Sequence, residues 1–153
     1  EGLRQEKGGL KIMVNLQKNL KNYWEIKMKK EKVETFVYHA ELERVVDGDT
    51  IDVTLDLGFN VKLHKQRCRL AGIDTPESRT RNLVEKALGK KASARLKELC
   101  AKKLKIKSLG VGKYGRILAI PYTEDGQDIC QLLISEGHAV EYEGGKKTKV
   151  WGK

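Results

Sequence analysis

Thr50-Ile51-Asp52-Val53-Thr54-Leu55-Asp56-Leu57 alternates without a break, polar at every even position and apolar at every odd one. Successive side chains of an extended chain point to opposite faces, so this octet is a strand with one side on a core. Ile51, Val53, Leu55 and Leu57 form the inner face; Asp52, Thr54 and Asp56 form an outer face expected to meet water. Before it, residues 35–46 are rich in Val, Phe and Tyr and form a second strand. After it, Gly58-Phe59-Asn60 turns the chain into a third strand over residues 61–73. Three strands joined by short turns make an antiparallel meander.

Beyond the meander the period lengthens. Val84, Leu88, Ala92, Leu96 and Leu99 recur at steps of three and four with Lys, Arg and Glu between them, which predicts an amphipathic helix over residues 82–101. Residues 104–109 and 116–122 read as a hairpin around Gly110, Gly112 and Gly115. Residues 128–136 read as a shorter helix with Ile129, Leu132 and Leu133 on one face and Gly137 as its stop. The expected fold class is therefore α+β: a five-stranded OB-type β-barrel with packed α-helices, occupying residues 35–153. Residues 1–34 differ, being rich in Lys, Asn, Gln and Glu with scattered apolar positions. They read as a basic arm without regular structure, with a marginal helix as the alternative. The chain starts at Glu1, so Met13 or Met28 is the expected natural start, the residues before it being in part appended or carried over from upstream.

The 153 residues carry a formal charge of +10 and a pI of about 9.5, which points to an anionic partner. Nucleic acid is the commonest such partner, through attraction to phosphates and release of their counterions. Cys68, Cys100 and Cys130 are odd in number and lack CxxC spacing, so they read as buried, reduced thiols rather than a disulfide frame or a zinc site. His39, His64 and His138 have no ligand spacing either and read as surface or packing residues. No apolar run is long enough for a membrane span or for the core of a secretory signal. The expected location is cytoplasmic, with no obligate protein partner.

Two segments carry the chemistry. Val46-Asp47-Gly48-Asp49-Thr50 and Ile73-Asp74-Thr75-Pro76-Glu77 each set carboxylates at a strand boundary beside a residue that bends the backbone. Taken singly each reads as a plain turn, because Asp bonds its own backbone and Gly and Pro bend the chain. Taken together they offer the several oxygen ligands that a hard divalent cation requires. Arg69 and Arg116 lie close to them in sequence or in the Lys113-Tyr114-Gly115-Arg116 turn, and a guanidinium matches two phosphate oxygens. Carboxylates for a metal and arginines for a phosphate are the two halves of a phosphodiesterase site. Strict alternation puts Arg69 and Asp74 on opposite faces of one strand, so they meet only if the chain bends near Gly72.

In order and spacing these residues resemble the staphylococcal nuclease (thermonuclease-like) family, over about Tyr38 to Tyr142. The resemblance is carried by Val45-Val46-Asp47-Gly48-Asp49-Thr50, Cys68-Arg69-Leu70-Ala71-Gly72-Ile73-Asp74-Thr75-Pro76-Glu77, Val84-Glu85-Lys86 with Ala92-Ser93-Ala94, Lys113-Tyr114-Gly115-Arg116 and Leu133-Ile134-Ser135-Glu136-Gly137. Layout and spacing suggest a phage or prophage member. The resemblance implies an OB-type barrel and a calcium-dependent nuclease acting on DNA and/or RNA at the 5′ P–O bond, leaving 3′ phosphates. It implies one Ca2+ held by Asp49, Asp74 and the carbonyl of Thr75, with Asp47 in its outer shell. It implies Glu77 as the residue that orients or deprotonates the attacking water, and Arg69 and Arg116 as the grip on the phosphate. Lys113 and Tyr114 match residues that border the nucleotide, and Tyr142 is a further candidate for that pocket.

Three departures accompany the match. The hairpin between Leu109 and Lys113 is shorter than the family's, with Gly112 where a carboxylate is usual. After Tyr142 comes Gly144-Gly145-Lys146-Lys147 and then Trp151, where the best-known members carry a long helix. The pocket tyrosines have no secure counterpart. The alternative reading is a noncatalytic OB-fold module that binds nucleic acid or acts as a scaffold. Its weakness is the low aromatic content of 6%, little for a stacking platform, and the complete acidic set.

Overall fold

Residues Thr50–Asp56 of the octet form one wall of a barrel whose polar side is covered at Asp52 and Thr54, whereas Leu57 falls beyond the strand end, at the turn, and is exposed instead of facing the core. The computed structural model describes residues 2–30 and 34–152. Two units make up the chain, Glu1–Thr35 and Phe36–Lys153. In the first, α1 spans Gly2–Lys30. Over Gly2–Lys30 the arm that composition assigns to irregular chain is thus helical; this stretch has Lys, Gln, Glu and Leu in abundance and no proline to interrupt it. Along it Leu10, Met13, Leu16, Leu20 and Trp24 are exposed, and the Tyr23 and Trp24 rings meet edge to face at 6.0 Å.

The second unit contains β1 (Val37–Asp47), β2 (Thr50–Asp56), β3 (Lys62–Leu70), β4 (Ile73–Asp74), α2 (Leu83–Cys100), β5 (Lys103–Val111), β6 (Ile117–Tyr122), α3 (Ile129–Ser135) and β7 (Val140–Glu141). Strands β1-β2-β3-β6-β5 form a closed barrel, with β5 returning to β1. Every pair is antiparallel except β3 and β6, which run parallel from Cys68↔Ile117 to Leu70↔Ala119. Five short strands closed in this order are the OB-type barrel that the pattern predicts. Ile51, Val53, Cys68, Leu70, Leu104 and Ile106 fill it, and Leu96 and Cys100 of α2 and Ile129 and Leu133 of α3 join the same core. No helix among the described residues is long and apolar enough to cross a membrane.

Four further features differ from the sequence reading. Asp52 and Thr54 are buried instead of facing water, because neighbouring strands lay long side chains over them: Arg44 and Arg67 on Asp52, Glu43 and His64 on Thr54. The third strand stops at Leu70; a turn at Ala71-Gly72, with Gly72 at φ +74°, frees Ile73–Asp74 to pair with β7 in a separate two-stranded sheet. The buried stripe of α2 is Gly89, Ala92, Leu96 and Cys100, whereas Val84 is exposed. In α3 the buried set is Ile129, Cys130 and Leu133, with Leu132 only partly covered. Hydrophobic periodicity weighs leucine and valine and overlooks glycine and cysteine, yet a bare backbone or a small thiol suits a close contact better. Both helices begin on the side chain of a capping residue, Asn82 for α2 and Asp128 for α3, and Gly137 ends α3 at φ +79°.

The cysteines are free and buried, as their spacing predicts. Burial pushes each thiol up to about 12, so these are packing residues at neutral pH.

Candidate active site

The first acidic turn joins β1 to β2 and the second follows the Gly72 bend, and the barrel brings them against each other. Gly48 marks the contact: a methyl group placed on it would lie 2.8 Å from the Thr75 hydroxyl and 2.9 Å from the Ala92 methyl. Leu70 N–H donates to the Asp49 carbonyl at 2.8 Å, tying the end of β3 to the same turn. Each Asp of the first turn does local work. Asp47 Oδ1 accepts from Gly48 N–H and Asp49 Oδ1 from the Thr50 hydroxyl, both at 3.0 Å. The other oxygen of Asp49 points away from its turn and pairs with Arg69 at 3.1 Å.

Arg69 resolves the strand-parity problem. Its guanidinium wraps the Gly72 bend, donating to the Leu70 carbonyl at 2.7 Å and to the Ile73 carbonyl at 2.9 Å. One side chain therefore holds the strand end, the bend and Asp49 together, and only 18% of it is exposed. Asp74 sits directly after that bend and is almost fully buried, as is Thr75.

A cleft of about 460 Å³ opens over this arrangement. Of the residues singled out in the sequence, Asp47, Asp49, Arg69, Glu77, Arg116 and Tyr142 line it. Asp74 and Thr75 lie beneath it rather than on its wall. Lys113 does not line it, and Tyr114 opens onto a neighbouring groove that shares Arg67 and Arg116 with the cleft. Tyr114 is exposed, and its ring carries the Arg116 guanidinium 5.6 Å from its centroid. Among the described residues that guanidinium has no carboxylate partner. Three lining residues escaped the sequence reading: Arg67, Arg79 and Lys147. Arg67 carries a signal that periodicity offers, two residues before Arg69 on the same strand. Lys147 carries none, since its place depends on the path of the chain after β7.

The electrostatics follow from crowding. The Glu77 carboxyl is raised above the ordinary range, first by burial and then by the charge of Asp47, with Lys147 opposing and Asp49 adding to the rise. Asp52 is held below it by hydrogen bonds from Arg67, against burial and with help from Arg44. Lys147 Nζ lies 2.7 Å from Asp74 Oδ1 and 3.6 Å from Glu77 Oε1. The nearer contact is short, but Oδ1 has no hydrogen bond of acceptable direction, so it is a contact of charges off the hydrogen-bond axis.

A divalent ion fits this chemistry on one test. Asp74 presents a buried oxygen with no hydrogen bond, held only by the charge of Lys147, on the turn whose Thr75 meets Gly48, and such oxygen donors suit a hard cation. Among the described residues no three His, Cys, Asp or Glu side chains converge as a preformed cage. A site here would therefore rest on two carboxylates, a carbonyl and water.

A family model described as staphylococcal nuclease homologue matches residues 67–150. That span takes in the second acidic turn, α2, the β5–β6 turn and α3, while the first acidic turn lies outside it. The SPbeta prophage-derived endonuclease YokF of Bacillus subtilis (strain 168) is 41% identical over 102 residues, 64% of this chain and 32% of that protein. Endonuclease YncB of the same organism is 39% identical over 105 residues, 66% of this chain and 46% of that protein. The micrococcal nuclease of Shigella flexneri is 33% identical over 114 residues, 69% of this chain and 59% of that protein. The chain thus spans 32% to 59% of the length of these relatives.

Proposed function

This chain belongs to the staphylococcal nuclease homologue family, and from that premise we propose that it is a nuclease hydrolysing phosphodiester bonds of DNA or RNA with one bound calcium ion. The observation that supports it best is the meeting of the two acidic turns at Gly48 and Thr75, under a cleft that also holds Arg69 and Arg116. Asp49, Asp74 and the Thr75 carbonyl would hold the ion, with Asp47 beside them. When bound, the ion supplies positive charge against a phosphate oxygen and favours ionisation of a nearby water.

The chain's own residues supply the rest. Glu77 faces the cleft with just over half of its side chain exposed, and its raised affinity for protons suits it to take one from the attacking water. A general base of this kind contributes about 10²–10⁴-fold. Arg116, half-buried over the Tyr114 ring and without a carboxylate partner among the described residues, is available to pair with a phosphate; Arg69, stitched to the Gly72 bend, is a fixed one. Both oppose the charge that grows on the phosphoryl oxygens, more strongly at the transition state than before it, which is the condition for raising the rate. The leaving group is the 5′ oxygen, so the products end in 3′ phosphates. The groove beside the cleft, with Arg44, Lys65 and Tyr114, continues the basic surface along which a strand would run.

The test is a calcium titration of cleavage on matched DNA and RNA strands, followed by chelation, with the ends of the products identified. Ion-dependent cleavage that leaves 3′ phosphates is expected. Absence of ion-stimulated cleavage of either polymer overturns the reading. Salt-sensitive strand binding that ignores calcium and leaves the strand whole would show a noncatalytic module instead.

A further inference from the structure

The segment after β7 crosses the acidic cluster and is fastened at both ends. At its near end Tyr142 N–H donates to the Gly72 carbonyl at 2.9 Å and the Tyr142 hydroxyl donates to the Gly145 carbonyl at 2.7 Å. Gly144 and Gly145 adopt φ of +99° and +85°, a conformation that side chains resist, and they turn the chain back toward the cleft. At its far end Gly152 lies on the first turn of α2: a methyl group added there would be 3.1 Å from Asn82 Oδ1 and from Glu85 N. Trp151 is half-buried beside it, with the Lys149 ammonium 5.3 Å from its ring centroid. Between these two fastenings Lys147 reaches Asp74 and Glu77.

We propose that residues 142–152 form a strap that seats Lys147 as a built-in counter-cation of Asp74, in competition with the divalent ion. This rests on the reading of Asp74 as an ion ligand. An ionised carboxylate as buried as Asp74 needs a positive neighbour. Lys147 supplies one from a stem that is 48% exposed, so the ammonium can leave without unfolding anything. An ammonium and a divalent ion against the same carboxylate repel each other at contact distance, and occupancy by either weakens the other. Lys147 thereby keeps the ion-free site neutralised and sets the calcium concentration at which the enzyme becomes loaded.

The experiment measures calcium affinity by calorimetry, and melting temperature with and without the ion, for the parent, Lys147→Gln and Lys146→Gln. Lys147→Gln is expected to bind calcium about tenfold more tightly. Without the ion it melts roughly 3 °C lower than the parent, and saturating calcium closes that gap. Lys146→Gln removes the same charge one residue away and stays within about twofold of the parent in affinity. Unchanged or weaker calcium binding by Lys147→Gln, against a parent that binds, overturns the inference and leaves the ion site standing. Flat titrations for parent and variant alike overturn the ion site and the strap's role with it.

Discussion

Gly89→Ala separates positioning from stability in this site. Gly89 is a buried position of α2, and a methyl group there would lie 2.7 Å from the Glu77 carbonyl carbon, 2.7 Å from Ser78 N and 2.8 Å from the Pro76 carbonyl oxygen. That is roughly 0.8 Å inside an ordinary carbon contact. All three atoms are backbone, so no side chain can swing aside. The helix is held from below by Ala92, Leu96 and Cys100, each fully buried, which leaves the loop carrying Glu77 as the part that gives way. Two energies compete. Alanine in place of glycine inside a helix gains about 1 kcal/mol, and overpacking costs about 1–3 kcal/mol. The net expectation is a loss of about 1 kcal/mol, which urea denaturation resolves. If Glu77 is the proposed base, the effect on turnover is larger, because displacing such a group by about 1 Å costs on the order of 10²-fold. Single-turnover cleavage of a single-stranded substrate at saturating calcium is the assay. A variant more stable by about 1 kcal/mol and fully active would refute the reasoning, since it would mean that α2 does not press on the Glu77 loop.

Three further outcomes follow from the same geometry. Arg116→Ala should lower kcat by about 10²–10³-fold with stability within about 0.5 kcal/mol of the parent; an unchanged kcat would remove Arg116 from the phosphate. Ala101, the C-cap of α2, sits at φ +47° and ψ −139°, where only glycine is comfortable, so Ala101→Gly should stabilise the fold by about 1 kcal/mol in urea denaturation, and a loss of stability would contradict it. Asp52 has a folded pKa below its unfolded one, so its contribution is complete above the unfolded value of about 3.9 and fades as pH falls through the folded value. Asp52→Asn should therefore melt lower than the parent at pH 7 and approach it toward pH 3, whereas a deficit that stays constant across that range would count against the Arg44–Asp52–Arg67 account.

The barrel was legible because β2 alternates and because Gly58-Phe59-Asn60 can only turn: all three take positive φ, and Asp56 accepts from the Gly58 N–H to fix the hairpin. The alternation of Asp52 and Thr54 was legible too, but not their burial, since that depends on Arg44, Arg67, Glu43 and His64 arriving from the flanking strands. At the site, the two acidic turns could be read as separate motifs. Their meeting came only from the family resemblance and not from the residues themselves, because it depends on what Gly48 and Gly89 lack, and a missing side chain leaves no hydrophobic signal. Gly72 was the exception: strand parity required a bend between Arg69 and Asp74, and φ +74° at Gly72 provides it. Lys147 lay beyond sequence reasoning altogether, as one of four lysines between residues 146 and 153 with nothing local to set it apart.

The charge pattern of the whole chain explains why the strap and the cation belong in one account. A net charge of +10 draws a polyanion to the surface, and Arg67, Arg69, Arg79 and Arg116 continue that attraction into the cleft. The floor of the cleft reverses the sign: Asp47 and Asp49 lie close enough to Glu77 for their charges to add to the rise that burial causes, and the buried Asp74 shares the Lys147 ammonium with Glu77. A phosphate drawn inward by the arginines would meet like charge at the point where it has to react. An ammonium at Asp74 lowers that barrier to approach but carries one charge and has no position to offer a water. On the proposed reading a divalent ion does both, so the step from Lys147 to calcium converts a floor that merely tolerates phosphate into one that can attack it.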